Sequence, residues 1–137
     1  MDNFIQITPF MHVEDFEGAV RFFEDILGFK AWIHVADYAY LQRECAGIRI
    51  LKASSAVGEK PHSGTRAFRY YIDVKDVDRL FAELKPKLDP LPAGSVHGPV
   101  NQSYGQREFM VLAPDGDLVV FGQSIFEMQV NKYDPEV

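Results

Sequence analysis

Val13-Glu14-Asp15-Phe16 and Val74-Lys75-Asp76-Val77 stand 61 residues apart and decide how this chain is read. In both places an apolar-rich run comes first and an amphipathic run follows. That order reads as strand, aspartate cap, helix: the carboxylate accepts from the first free amides and sits at the positive end of the helix dipole. A repeat of this length is too long for a solenoid unit and points to two copies of one module.

Outward from the first cap, residues 4–13 read as a strand, held to an edge or bent by Pro9, which cannot donate a ladder hydrogen bond. Residues 15–27 read as a helix whose stripe is Ala19, Val20, Phe22, Phe23, Ile26 and Leu27, stopped by Gly28. Residues 30–35 and 38–43 form a hairpin around Ala36-Asp37, and 47–52 a further strand. Around the second cap, 67–74 is a strand and 76–84 a helix ended by Pro86. Residues 89–99 carry Pro90, Pro92, Gly94, Gly98 and Pro99 and read as a long irregular loop. Strands over 106–112 and 118–123 flank the turn Pro114-Asp115-Gly116-Asp117. The expected fold is α+β, with the order β-α-β-β-β twice. A first module covers 1–53, a Gly-, Pro- and Ser-rich linker 54–65, a second module 66–123 and a tail 124–137. One helix covers one face of each small sheet; the other face must meet the second copy or line a cleft.

Composition bounds the function. The 137 residues are 47% hydrophobic and 25% charged, a globular balance. A net charge of −6 opposes a nucleic-acid partner and suits a cationic small molecule. No apolar run approaches the roughly 20 residues a membrane span needs. The N-terminus shows no basic-then-apolar secretory pattern. The single cysteine, Cys45, has no internal disulfide partner, so the expected location is the cytoplasm. Cys45 itself is expected as a small core residue, with no nearby histidine to activate it.

Val13-Glu14-Asp15, Phe22-Phe23, Leu27-Gly28-Phe29, Arg107 and Pro114-Asp115-Gly116, in that order from about Ile7 to Gln123, resemble the vicinal-oxygen-chelate superfamily, also called the glyoxalase/bleomycin resistance/dioxygenase superfamily. The resemblance implies two βαβββ modules forming a cleft, in a homodimer. In the family's enzymes the cleft holds a divalent metal on His, Glu or Gln at four strand positions. Those positions fall here on Thr8, Arg69, Val120 and either Ile50 or Leu51. None is a normal ligand, and a guanidinium opposes metal entry. No metal and no cofactor are therefore expected, and metal-dependent chemistry is disfavoured.

Within the family the chain is most similar to bleomycin resistance proteins, through Gly28-Phe29, Tyr40-Leu41-Gln42-Arg43 and Pro9. In those proteins two tryptophans sandwich the drug's flat bithiazole; the corresponding places here are Tyr38 and Tyr104, which keep an aromatic platform of smaller area. Arg69 and Tyr71 share a strand face and are further cleft candidates; Arg69 pairs either with a ligand carboxylate or with an internal acid such as Glu108. Arg49 joins them if its register allows. His12 alternates with Thr8 and Phe10 and should enter the cleft, to meet ligand or to be hydrogen-bonded there. Trp32, two places from His34 on one strand face, either stacks on ligand or packs at the dimer interface.

The reading that results is a metal-free, non-enzymatic protein that sequesters bleomycin-type antibiotics without modifying them. Its ligand is a small, cationic and aromatic molecule; nucleic acid and membrane are not partners. Two alternatives stand beside it: a metal-dependent glyoxalase- or dioxygenase-type lyase or oxidoreductase whose ligands lie in another register, and a structural dimer with a vestigial cleft.

Overall fold

A computed structural model describes residues 3–53 and 68–126. The linker expected over 54–65, with His62, and the tail from residue 127 lie outside the described residues. The chain divides into two compact units, Met1–Arg66 and Ala67–Val137.

In the first unit the elements are β1 (Phe10–Val13), α1 (Phe16–Arg21), a π-helical turn (Phe22–Ile26), β2 (Lys30–His34), β3 (Tyr38–Arg43) and β4 (Ala46–Lys52). The sheet order is β1-β4-β3-β2. β1 runs parallel to β4, and the other neighbours are antiparallel. Met11, Val13, Ala39, Leu41, Ile48 and Ile50 alternate along the strands and are buried with Ala19, Val20, Phe23 and Leu27 of the helical segment. Asp15 caps α1 by accepting from the Gly18 amide at 3.0 Å. The expected regular helix over 15–27 widens after Arg21. There Leu27 donates to the Phe22 carbonyl at 3.2 Å, five residues back. The wider turn sends both Phe22 and Phe23 inward, edge to face at 5.5 Å, and Phe23 meets Phe29 at 5.2 Å. Gly28 then turns the chain with φ 77°.

The second unit repeats the plan with β5 (Arg69–Asp73), α2 (Val77–Leu88), β6 (Val96–Asn101), β7 (Gln106–Leu112) and β8 (Leu118–Ser124). Its order is β5-β8-β7-β6, with β5 parallel to β8. Asp76 caps α2 through the Arg79 amide at 3.0 Å. Phe109 stacks on Phe121 at 5.0 Å and meets Phe81 of the helix at 5.1 Å. Arg107 clamps α2 to the sheet, its Nε and Nη2 reaching the Asp78 carboxylate at 2.9–3.2 Å.

Four local expectations are corrected. The first strand begins at Phe10, not at residue 4: Phe4, Ile5 and Ile7 are 99%, 94% and 98% exposed. Ladder pairing starts only where the Pro9 carbonyl accepts from the Arg49 amide. α2 runs through Pro86 to Leu88, because burying Leu84 and Leu88 outweighs the one amide that Pro86 lacks in the last turn. The stretch 89–99 is not all loop, since β6 begins at Val96. Gly98 and Pro99 fall in its bulge between His97 and Val100, where a missing donor breaks no regular pairing. Cys45 is exposed rather than buried, in the two-residue turn between β3 and β4.

The matching caps predict matching costs. Asp15→Ala and Asp76→Ala should each remove about 1 kcal/mol of stability, read from urea unfolding midpoints. Gly18→Ala should mimic Asp15→Ala, since its added Cβ would lie 2.1 Å from Asp15 Oδ2. Two unchanged midpoints would remove the caps from the account of helix placement.

Candidate functional site

A helix covers one face of each sheet, so alternation assigns every other strand residue to the opposite face. In the first unit that face is built from two cross-strand rows, His12–Leu51–Tyr38 and Phe10–Arg49–Tyr40. Arg49 is at the centre. Its Nε donates to Thr8 Oγ1 at 2.8 Å, its Nη1 donates to the Tyr38 hydroxyl, and its guanidinium carbon lies 4.8 Å from the centre of the Tyr40 ring. Gln6 Nε2 donates to the Tyr40 hydroxyl at 2.9 Å. Phe10 tilts against His12 at 5.8 Å and against Tyr38 at 6.2 Å. Among the described residues no acid pairs with Arg49, so neutral oxygens and a π face hold it.

Trp32 and His34 do not share a strand face as expected. A bulge between Ala31 and Ile33 breaks the alternation of β2. His34 turns to the helix side, where it meets the Phe16 ring at 5.7 Å and Glu17 Oε1 at 3.3 Å. Trp32 is 61% exposed, with the Lys30 ammonium 4.6 Å from its ring centre.

In the second unit the face opposite α2 carries the rows Arg69–Leu118–Leu112, Tyr71–Val120–Met110 and Asp73–Gly122–Glu108. Arg69 and Tyr71 do share this face. Tyr71 reaches along it to Gly122: a Cβ there would fall 1.8 Å from the tyrosine oxygen, so only glycine admits the approach. Gln106 Nε2 donates to the Tyr71 hydroxyl at 3.0 Å. Tyr104 stands on the turn before β7, 59% exposed, and its hydroxyl donates to Glu108 Oε1 at 2.5 Å. Arg69 Nη1 lies 3.9 Å from the Met110 sulfur; its contact is that thioether and not Glu108. Glu108 is only 2% exposed, and among the described residues its Oε2 receives no hydrogen bond.

Sequence reading named Glu108 only as a partner for Arg69 and passed over Gln106 and Gly122. The available signal was alternation: in 106–112, Gln106, Glu108 and Met110 fall on one face and Phe109 and Val111 on the other.

The four positions that hold metal in the family's enzymes do not suit a divalent cation here. Thr8 bonds Arg49, Arg69 is a guanidinium, Val120 is aliphatic, and of the remaining pair Ile50 is buried on the helix side while Leu51 is on the opposite face. Among the described residues no three His, Cys, Asp or Glu side chains gather as a metal set.

Paired units, each a four-stranded sheet with one helical layer and a second face bearing aromatic and charged side chains, define a two-module α+β protein. The sequence pattern of the Glyoxalase/Bleomycin resistance protein/Dioxygenase superfamily matches residues 6–121, and the chain belongs to that superfamily. It is 28% identical over 134 residues to a bleomycin resistance protein of Geobacillus stearothermophilus, covering 88% of this chain and 98% of that one. The crystal structure of a bleomycin-binding protein from the bleomycin producer Streptomyces verticillus, complexed with copper(II)-bleomycin, superposes with a TM-score of 0.65. Identity is 25%, and the match covers 88% of this chain and 97% of that one. A bleomycin resistance determinant encoded on the transposon Tn5 shares the fold with a TM-score of 0.71, at 22% identity over 90% of this chain and all of that one.

The phenols supply a pH test. Tyr70 is pushed up by burial and then by Asp117. Tyr71 is pushed up by burial and then by the Glu108 carboxylate that faces its hydroxyl. Tyr104 is raised first of all by its bond to Glu108. A folded value above the unfolded one means that the native state holds its proton more tightly. The stabilisation is full below about pH 10 and is lost as pH rises from there through the raised values. Alkaline titration, followed by phenolate absorbance and ring NMR signals, should show these three ionising late. Glu108→Gln should bring Tyr104 further back toward the usual value than Tyr71, for which burial dominates. Equal movement, or none, would remove the carboxylate as the cause.

Proposed function

We propose that this protein binds a bleomycin-type antibiotic stoichiometrically and releases it unchanged, acting by sequestration in the cytoplasm. The carrying observation is the content of the two open faces. At the positions that the resemblance assigns to metal ligands this chain has Thr8, Arg69, Val120 and Ile50 or Leu51; the face opposite the first helix carries Tyr38, the face opposite the second carries Tyr71, and Tyr104 stands on the turn before β7. Such faces suit burial of a flat ring system and offer no divalent metal to activate a substrate. Tyr38 and Tyr104 are the platforms, each with its hydroxyl already engaged, so little side-chain entropy is lost when a ligand lands. Trp32, Tyr71, Arg69 and His12 complete the proposed contact set. The similarity to bleomycin resistance and bleomycin-binding proteins along nearly the whole chain supports this ligand class. The net charge of −6 draws in a cationic drug at long range.

The same reading includes a homodimer. Phe4, Ile5 and Ile7 stand almost fully in solvent ahead of β1, an apolar arm that a second copy of the chain would cover.

Calorimetric titration with metal-free bleomycin should show saturable one-to-one binding that weakens with salt. Replacing both Tyr38 and Tyr104 by alanine should weaken it about tenfold or more. Unchanged affinity in the double variant would withdraw the stacking assignment. Light scattering on the full chain should give twice the chain mass, and a chain lacking residues 2–9 should shift toward monomer; a monomeric full chain would end the dimer proposal.

A further inference from the structure

Glu108 is the most demanding group in the described structure. A carboxylate that loses nearly all contact with water must recover its solvation from donors or from a counter-charge. Here the recovery is partial. Tyr104 donates to Oε1, Tyr71 faces the same carboxylate, and Oε2 receives nothing among the described residues. The strand gives no relief, because the neighbours across the ladder on this face are Gly122 and Val100. Among the described residues, the basic side chains on this face are Arg69 and, opposite Met110 on the edge strand, His97. The Arg69 guanidinium contacts the Met110 sulfur, and it acts on Tyr104 only through space, lowering a pKa that Glu108 raises.

The covering group is as informative as the charge. Tyr104 is tied down at its oxygen and open at its ring. A phenol that donates a short bond to a carboxylate gains electron density, and its π face becomes a better receptor for a cation. The negative charge lies at the hydroxyl end of that exposed ring, and its pull on a cation resting there is weakened by salt.

We propose that Glu108 and Tyr104 form an organic-cation subsite, in which an alkylammonium, sulfonium or guanidinium group of the ligand packs on the exposed ring of Tyr104 with the buried carboxylate as its counter-charge. The subsite deepens the sequestration reading, on which its use by a drug rests, by assigning the cationic part of the ligand to the second unit. Arg69, one of the proposed contacts, then touches the ligand at a cost: its charge opposes the ligand's cation.

The two charges therefore predict opposite signs. Calorimetry with metal-free bleomycin bearing a cationic terminal amine would compare Glu108→Gln and Arg69→Gln with the parent chain at low and moderate salt, after circular dichroism has shown each to be folded. Glu108→Gln should weaken binding about tenfold and flatten its salt dependence, while Arg69→Gln should tighten it several-fold. A bleomycin whose terminal amine is replaced by a carboxylic acid should lose the sensitivity to Glu108→Gln. Equal affinity and salt slope in Glu108→Gln, or weakening by both variants, would overturn the subsite while leaving sequestration standing. A second probe separates the two ideas completely. Millimolar benzyltrimethylammonium should shift the Tyr104 ring NMR signals of the parent chain and leave those of Glu108→Gln unmoved. No shift in the parent would overturn the subsite whatever bleomycin does. A shift, together with no bleomycin binding, would keep the subsite and discard the drug.

Discussion

Each sheet in this protein has two faces and one helix to cover them. That imbalance governs nearly everything else. Apolar side chains must be spent on the helix side, and Met11, Val13, Ala39, Leu41, Ile48 and Ile50 are all there. Their neighbours along the same strands, Phe10, His12, Tyr38, Tyr40 and Arg49, are then committed to the other side. Because the strand period is two, a slip of one residue would bury Arg49 and expose Ile50, so the register is pinned by the cost of that exchange. The caps at Asp15 and Asp76 start the helices at matching points after β1 and β5, which aims both helices at the same relative face of their sheets.

Charge is handled differently on the two sides. Arg107 lies on the helix side of β7 and meets Asp78 with two nitrogens, an ion pair that joins sheet to helix and is complete in itself. Its chain neighbour Glu108 points the other way and is left incomplete. Adjacent residues of opposite sign thus divide into one structural charge and one buried charge whose solvation the fold does not finish. The stability of the sheet would favour an apolar residue at 108, since a buried carboxylate with no cation beside it is costly and one tyrosine bond offsets only part of that.

Local features were legible in the sequence and nonlocal ones were not. Caps, the 38–43 strand, the Gly28 stop and the Gly116 turn depend on a few neighbouring residues, and each appears where its chemistry requires it. β6 was hidden because Gly98 and Pro99 are loop signals by composition, whereas the edge position that tolerates them is a property of the assembled sheet. The first strand was overread for the converse reason: Phe4, Ile5 and Ile7 have strand-like chemistry, yet no described strand pairs with them. The bulge in β2 moved His34 onto the helix side, so counting by twos from Trp32 failed. Tyr38, Arg69 and Tyr71 could be placed on open faces by alternation alone, but the partner of Glu108 could not, since Tyr104 reaches it from a separate turn.

The two tyrosines proposed as platforms show how a repeated plan can carry unlike chemistry in its two copies. Register places Tyr38 beside Leu51 in the first unit and Glu108 beside Gly122 in the second, so the same structural position holds a phenol in one copy and a carboxylate in the other. Tyr38 accepts a bond from the Arg49 guanidinium, which draws electron density out of its ring. Tyr104 gives a bond to Glu108, which pushes density in. One ring is therefore tuned toward electron-rich π systems and the other toward cations, although both are tyrosines and both are fixed at the oxygen before any ligand arrives. A uniformly anionic substrate would find Glu108 and Asp73 along the same row of the second unit, and repulsion there would offset what Arg69 contributes. Under the proposed reading, the polarity of each ring, more than the number of rings, restricts what can bind.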